Sequence, residues 1–290
     1  MNSNQISKIR LLGIEYYDDI CNVNYNEVSI VVGFGYQLTL DLLSGFPNLK
    51  WVHSYSSGIE HIPLNYLQKN DILLTNSKGI HSIPVAEYVI SMMINLSRNN
   101  FSYYSNQRKR IWNDELVNSE IFGKKVTIVG NGSIGKRITK ICHVLGLYVD
   151  TVSSHNKHDL NKLLIDRDFI IICLPLTNST KNLFDERRLA LLSSNTVIIN
   201  ISRGDIVDED CLFNSLKEKR IKAAILDVFR EEPLPKENPL WELDNVFLTP
   251  HVSGKTDMYF QRAFKLFFDN LSCYKNNSFL ENIVDFDKKY

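Results

Sequence analysis

Short apolar runs alternate with longer amphipathic stretches along most of the chain. In the first third, Ile9–Ile14, Ser29–Val32, Leu49–His53 and Ile72–Thr75 read as strands. Leu38–Leu43 and Pro63–Gln68 lie between them and suit helices or turns. Strands that alternate with helices predict a parallel sheet. A long helix comes next. Pro84 fits its first turn, and Val85, Tyr88, Val89, Met92, Met93 and Leu96 recur at helical spacing. A polar segment, Arg98–Ser119, leads to a strand at Lys125–Gly130, and there the pattern restarts. Further strands are predicted at Asp168–Cys173, Thr196–Asn200, Ala223–Leu226 and Val246–Leu248, and a helix at Thr256–Cys273. The restart predicts one α/β domain inserted into another. The boundaries expected are 1–84 with 255–290 for the discontinuous domain and 85–254 for the inserted one.

A length of 290 residues, 44% of them hydrophobic, suits two such cores. Lys+Arg and Asp+Glu are equal at 33 each, so no global field exists to hold nucleic acid or an acidic membrane. The expected partner is a small molecule, recognised by local charge. Cys21, Cys142, Cys173, Cys211 and Cys273 are odd in number and never spaced C-x-x-C. This argues against a disulfide framework or a zinc site and fits a reducing cytoplasm. The opening MNSNQISKIRLLGIEYYDD does not read as a secretory signal, and no apolar stretch approaches the length of a membrane span.

Candidate chemistry begins at the restart. The apolar strand ending at Gly130 runs straight into Gly130-Asn131-Gly132-Ser133-Ile134-Gly135, and Lys136–Leu145 can form the helix after it. The motif alone is weak, but strand before and helix after make it specific for a dinucleotide. Gly130 permits the tight turn, Gly132 a close approach to a pyrophosphate, and Gly135 the packing of helix on sheet. The first helical N–H groups, including those of Ser133 and Ile134, face the phosphates. A ribose-binding carboxylate is expected at the end of the following strand, Leu147–Val152. That position falls on Ser153, with Ser154, His155 and Lys157 after it. Hydroxyls and positive charge suit a 2′-phosphate, which favours NADP over NAD. Asp150 would favour NAD if the strand ended three residues earlier, and Asp159 is a second acid within reach of a short loop.

Three later segments arrive in order: INISRG at 199–204, LDVFREEP at 226–233 and LTPHVSG at 248–254. With WVHSYSSGIEHI (51–62), NSKGIHSIPVAEY (76–88), GKKVTIVGNGSIG (123–135) and LPLTNST (174–180), they make the chain resemble the D-isomer-specific 2-hydroxyacid dehydrogenase family over nearly its whole length. The resemblance implies an α/β fold with a Rossmann dinucleotide-binding domain, a flavodoxin-like substrate domain and an active site in the cleft between them. It implies a hydride transferred between a nicotinamide cofactor and a small 2-keto or 2-hydroxy acid. In that scheme Arg203 binds the substrate carboxylate and steadies the keto oxygen, since a planar guanidinium gives two parallel charge-assisted bonds. His251 exchanges a proton with the carbonyl oxygen, and an imidazole, with an ordinary pKa of about 6.5, serves both directions. Glu232 orients His251. Backbone N–H groups near Ser57 and Gly58 hold the carboxylate from the other domain. Asp227, Ser253 and Pro175 join the cofactor set. The family also implies a homodimer, for which the helix Val85–Leu96 and the following Trp112 segment are the candidate surface.

Each of these residues has an ordinary structural explanation when taken alone. An Arg after a strand is usually a surface ion-pair partner, a Glu before Pro a loop carboxylate, and a His in a T-P-H turn a strand cap. Glu231 rivals Glu232, which is chosen because it directly precedes the proline. His53, His61, His81 and His143 read as structural or surface histidines, and Glu87 as a helix-start carboxylate. The stretch 153–168 is shorter than in many relatives, which place an extra strand and loop there. With nothing after residue 290, the large feedback-controlled form of phosphoglycerate dehydrogenase is not expected. The same fold also occurs in transcriptional corepressors, so a dinucleotide-sensing binding protein is the alternative reading. The substrate itself is not legible.

Overall fold

Among the described residues both β-sheets are wholly parallel, as the alternation of strands and helices requires. The computed structural model describes residues 3–18, 21, 23–153 and 159–286. They fall into two units, Met1–Ile80 with Thr256–Tyr290, and His81–Lys255.

The first unit opens on α1 (Ser3–Leu11), where a strand over Ile9–Ile14 is expected. The structure corrects this. Ile6 and Ile9 are three residues apart, and Ile9 is buried, so the apolar positions serve a helical face. Lys8 and Arg10 stand in the last turn, where cations suit the helix dipole. Gly13 then takes φ +68° and its N–H donates to Arg10 O, which ends the helix. The sheet of this unit consists of β1 (Ile30–Gly33), β2 (Trp51–Ser54) and β3 (Leu73–Asn76), in that order. α2 (Leu40–Ser44) is capped by Thr39, whose hydroxyl accepts from Leu42 N, and α3 (Leu64–Lys69) precedes β3.

Alternate side chains of this sheet enter two apolar clusters. Val52 and Leu74 pack with Leu38, Leu43 and Leu67, while Trp51 packs with side chains from the C-terminal part of the chain. The second face also buries a polar group. Trp51 Nε1 donates to Thr75 Oγ1 at 2.9 Å, and His53 Nδ1 lies 2.7 Å from the same hydroxyl. His53 Nε2 has no partner, and burial lowers this imidazole to about 3.

The second unit begins with α4 (Ser82–Ser97) and α5 (Asn100–Lys109). The stretch read as merely polar therefore contains a helix, one with no fully buried residue. The expectation that α4 offers its apolar side to a second copy is also corrected. Val85, Ala86, Val89, Ile90, Met92 and Met93 are buried in their own unit's core. There they meet Val126, Ile128, Phe169, Ile171, Val197 and Ile199, which belong to β4 (Lys125–Val129), β6 (Phe169–Ile172) and β7 (Val197–Asn200). The rest of the unit consists of α6 (Ser133–Val144), β5 (Tyr148–Val152), α7 (Leu160–Leu164), α8 (Glu186–Leu189), α9 (Glu209–Lys217), β8 (Ala223–Leu226) and β9 (Val246–Leu248).

The six strands run in the order β5-β4-β6-β7-β8-β9. β6, β7 and β8 are buried on both faces, which is why they read as apolar runs, broken only by Asn200 at the end of β7. The order reverses at β4, so the switch point lies between the carboxyl ends of β4 and β6, where doubly wound sheets bind their ligands. The chain then returns to the first unit as α10 (Tyr259–Lys275), whose Phe264, Phe267 and Leu271 complete the Trp51 cluster. Beyond α10, Val284 N donates to Leu74 O and Ile283 bridges Thr75 in antiparallel sense.

Candidate active site

At the switch point, Gly130 takes φ +125°, and its N–H donates to Val152 O at 2.8 Å. A Cβ on Gly135 would lie 1.9 Å from Gly130 O, so only glycine allows α6 to sit this close to the turn. A Cβ on Gly132 would meet nothing within 4 Å, which leaves the cradle open in front of the helix. Gly132 is the N-cap of α6, and the first helical backbone bond is Lys136 N to Gly132 O. The N–H groups of Ser133, Ile134 and Gly135 form the first turn, the arrangement that suits a pyrophosphate. Cys173, at the end of β6, underlies this turn. Its Sγ donates to Gly130 O at 3.2 Å, and burial pushes the thiol up to about 12.

β5 ends at Val152, and Ser153 is the residue after it. Asp150 lies inside the strand, paired with Thr127. Its Oδ2 accepts from Arg167 Nη1 at 2.6 Å. The early strand end that would make Asp150 the ribose ligand is therefore not found. Ser154, His155 and Lys157 lie outside the described residues. Asp159 is the N-cap residue of α7. Pro175 is exposed, and its carbonyl accepts from Thr180 Oγ1 at 2.7 Å.

The three later motifs meet at the carboxyl ends of β7, β8 and β9. After β7, Asn200 folds its loop. Its Oδ1 accepts from Ser202 N and Oγ, and its Nδ2 donates to Arg203 O at 3.0 Å. Arg203 follows in extended conformation with an exposed side chain, and its Nη1 donates to Ser202 O. Gly204 then touches the next motif. A Cβ there would lie 1.9 Å from Phe229 C and 2.3 Å from Arg230 N. The backbone carrying Arg203 is thus pressed against the backbone that leads to Glu232.

Glu232 is held at both oxygens. Oε1 accepts from Phe229 N at 3.0 Å, and Oε2 lies 2.8 Å from His251 Nδ1. An ionised carboxylate can only accept, so the ring proton of that bond sits on Nδ1. Nε2 is left as the nitrogen that can take up and release a proton. It is Glu232, not its neighbour Glu231, that reaches the ring. His251 has φ +52°, and its turn is fixed by Asp227. The fully buried Asp227 carboxylate accepts from Thr249 Oγ1 (2.5 Å) and Val252 N (2.9 Å) through Oδ1, and from Ser253 N (2.8 Å) through Oδ2. These bonds commit much of the Asp227 carboxylate to the histidine turn, although it was expected to face the cofactor.

Tyr88 of α4 and His81, the residue that caps its start, reach the same turn, and no local sequence signal marks them. Tyr88 Oη lies 2.7 Å from Thr249 Oγ1, and His81 Nδ1 lies 3.2 Å from Gly254 O. Burial pushes the Tyr88 hydroxyl up to about 12, against the lowering effect of Thr249, and burial lowers His81.

In the first unit, Ser57 Oγ donates to Ser77 O at 3.0 Å, and Ser57 O accepts from Asn76 Nδ2 at 2.9 Å. A Cβ on Gly58 would lie 2.3 Å from Glu60 Oε2. The loop after β2 is thus tied to the loop after β3, and the Glu60 carboxylate rests against Gly58. Among the described residues, no helix is long and apolar enough to cross a membrane, and no cluster of His, Cys, Asp and Glu could hold a metal ion.

Comparison with known proteins follows the same lines. Residues 90–253 match the model of the D-isomer specific 2-hydroxyacid dehydrogenase, NAD binding domain. A glyoxylate reductase of Thermofilum pendens is 33% identical over 252 residues, 81% of this chain and 74% of that protein. A D-3-phosphoglycerate dehydrogenase of Methanocaldococcus jannaschii is 29% identical over 269 residues; the match takes in 88% of this chain but only 51% of that protein. Among solved structures, a D-isomer specific 2-hydroxyacid dehydrogenase family protein of Aeromonas salmonicida is 27% identical. It covers 98% of this chain and 97% of its own, with a TM-score of 0.81.

Proposed function

The chain belongs to the D-isomer-specific 2-hydroxyacid dehydrogenase family, and from that premise we propose that it interconverts a small 2-keto acid and the corresponding 2-hydroxy acid. The observation that carries this reading is the Glu232–His251 pair at 2.8 Å, one loop away from Arg203. The bound nicotinamide cofactor would supply or accept the hydride. The open turn at Gly132, with the first N–H groups of α6, fits its pyrophosphate. Arg203 would grip the substrate carboxylate with its planar fork. His251 would hold at Nε2 the proton given to the carbonyl oxygen in reduction and take it back in oxidation. Glu232 would keep the ring in one orientation. The N–H groups of Ser57 and Gly58 are assigned a share of the carboxylate binding in the same proposal, as is Ser253 for the cofactor.

The reading extends to NADP as the preferred cofactor. In support, Asp150 is committed to Arg167 within β5, and Ser153 rather than a carboxylate follows that strand. It also extends to a cytoplasmic homodimer. The surface that supports pairing is the segment after α5, where Trp112 is 94% and Val117 87% exposed. Apolar groups this open are typical of a surface that a partner covers. Light scattering at micromolar concentration should give twice the chain mass, and a monomer would refute the pairing.

A panel of 2-keto acids, each offered with NADH and NADPH and followed by loss of cofactor absorbance, tests the activity. Turnover with a higher kcat/KM for NADPH is expected. Tight cofactor binding with no acid reduced would favour the dinucleotide-sensing alternative instead.

A further inference from the structure

The chemistry proposed above rests on a histidine in an unusual place. His251 has φ +52°, a region that side chains other than glycine enter at a cost. Such a turn persists only where its surroundings over-determine it. The structure shows what does so here. Asp227 holds the turn from below through Val252 N and Ser253 N, and His251 N itself donates to Asp227 O at 2.9 Å.

The Asp227 side chain is in turn held through Thr249. The hydroxyl proton of Thr249 is engaged by Asp227 Oδ1 at 2.5 Å. Thr249 Oγ1 can therefore only accept from Tyr88, whose hydroxyl lies 2.7 Å away. The result is a directed chain, Tyr88 O–H to Thr249 O–H to the Asp227 carboxylate. At the far end of the turn, His81 Nδ1 donates to Gly254 O at 3.2 Å, and a Cβ on Gly254 would lie 3.0 Å from that ring nitrogen. His81 caps the start of α4 and Tyr88 stands in its second turn, and the helix is packed into the core by Val85, Ala86 and Val89. A rigid helix thus grips the two ends of the segment that carries His251.

We propose that Tyr88 is a positioning residue for the reaction, acting through Thr249 and Asp227 to hold the His251 turn so that its ring stays on Glu232. This rests on the assignment of His251 as the proton-transferring group. Tyr88 itself touches neither substrate nor cofactor in the scheme. Its removal should leave ligand binding intact and slow the chemical step.

The test uses the full chain with Tyr88→Phe, Thr249→Val, the double variant and Thr249→Ser. With a 2-keto acid and NADPH, Tyr88→Phe should lower kcat roughly tenfold, since small misplacements of a reacting group are costly. KM for the acid and the cofactor Kd should stay within about twofold. The double variant should be no slower than Thr249→Val alone, because both remove one chain. Thr249→Ser, which keeps the hydroxyl, should restore kcat. Amide exchange at Val252 and Ser253 should quicken in Tyr88→Phe whether or not a substrate is at hand. Unchanged kcat and unchanged exchange would overturn the proposal. Additive losses in the double variant would overturn the chain as the route. A wild-type protein that reduces no 2-keto acid would defeat the parent reading, and the exchange result would then decide alone whether Tyr88 holds the turn.

Discussion

Acid should loosen the first unit through His53, and the size of the effect follows from its surroundings. The ring is fully buried, its Nδ1 meets Thr75 Oγ1, and its Nε2 meets nothing. Protonation would place a charge among Trp51, Tyr55 and Phe267, on a ring whose Nε2–H has no acceptor. The folded-state value is accordingly about 3, against about 6.5 in an unfolded chain. Because the folded value is depressed, the unfolded chain binds the extra proton between these limits. Stability is therefore complete above about pH 7 and declines as pH falls through 6.5 toward 3. Linkage between pH 7 and pH 5 gives a loss of about 2 kcal/mol from this group alone. That figure hardly changes for any folded value below about 4. The assay is urea unfolding at both pH values for the wild type and for His53→Asn, whose amide can still meet Thr75 but does not titrate. The variant starts less stable because it underfills the site, but its pH dependence should be weaker by about 2 kcal/mol. Parallel losses in the two proteins would refute the argument.

Other expectations concern the site. Gly204→Ala should push the Phe229–Arg230 backbone away and carry Glu232 with it. A drop in kcat/KM of roughly 100-fold with an unchanged cofactor Kd is expected, and near-native kinetics would show that the two loops move independently. Arg203→Lys keeps the charge but loses the two-point clamp, so kcat/KM should fall at least about tenfold, mainly through KM for the acid. Gly135→Ala should abolish cofactor binding, measured by fluorescence titration, because its Cβ would overlap Gly130 O. Retained affinity would mean that the turn can yield.

The central strands were legible because β6, β7 and β8 are buried on both faces and are almost wholly apolar, with Asn200 the one polar residue, at the end of β7. The cofactor turn was legible because its glycines, set between a strand and a helix, mark forced backbone geometry, whereas Arg203, Glu232 and His251 stood out only through the family resemblance, each having an ordinary explanation alone. Other features were not. Ile9–Ile14 carries apolar residues that satisfy strand and helix alike, and α1 forms because Ile9 finds a core with Phe264 and Leu271 from the far end of the chain. α5 buries no residue fully, so no apolar stripe announces it. The amphipathic pattern of α4 revealed a buried face but not that its own sheet covers it. Tyr88 and Thr249 are 161 residues apart, and their hydrogen bond exists only once α4 is packed against that sheet.

The central claim is hydride transfer to a 2-keto acid with His251 handling the proton. It is tested most directly with cofactor deuterated at the transferable C4 position. The wild type, given a 2-keto acid that it turns over, should yield the 2-hydroxy acid with one deuterium on C2. His251→Ala should bind cofactor as tightly but form that labelled product slower by about 10²–10⁴-fold. Unlabelled product, or a His251→Ala variant as fast as the wild type, would contradict the account.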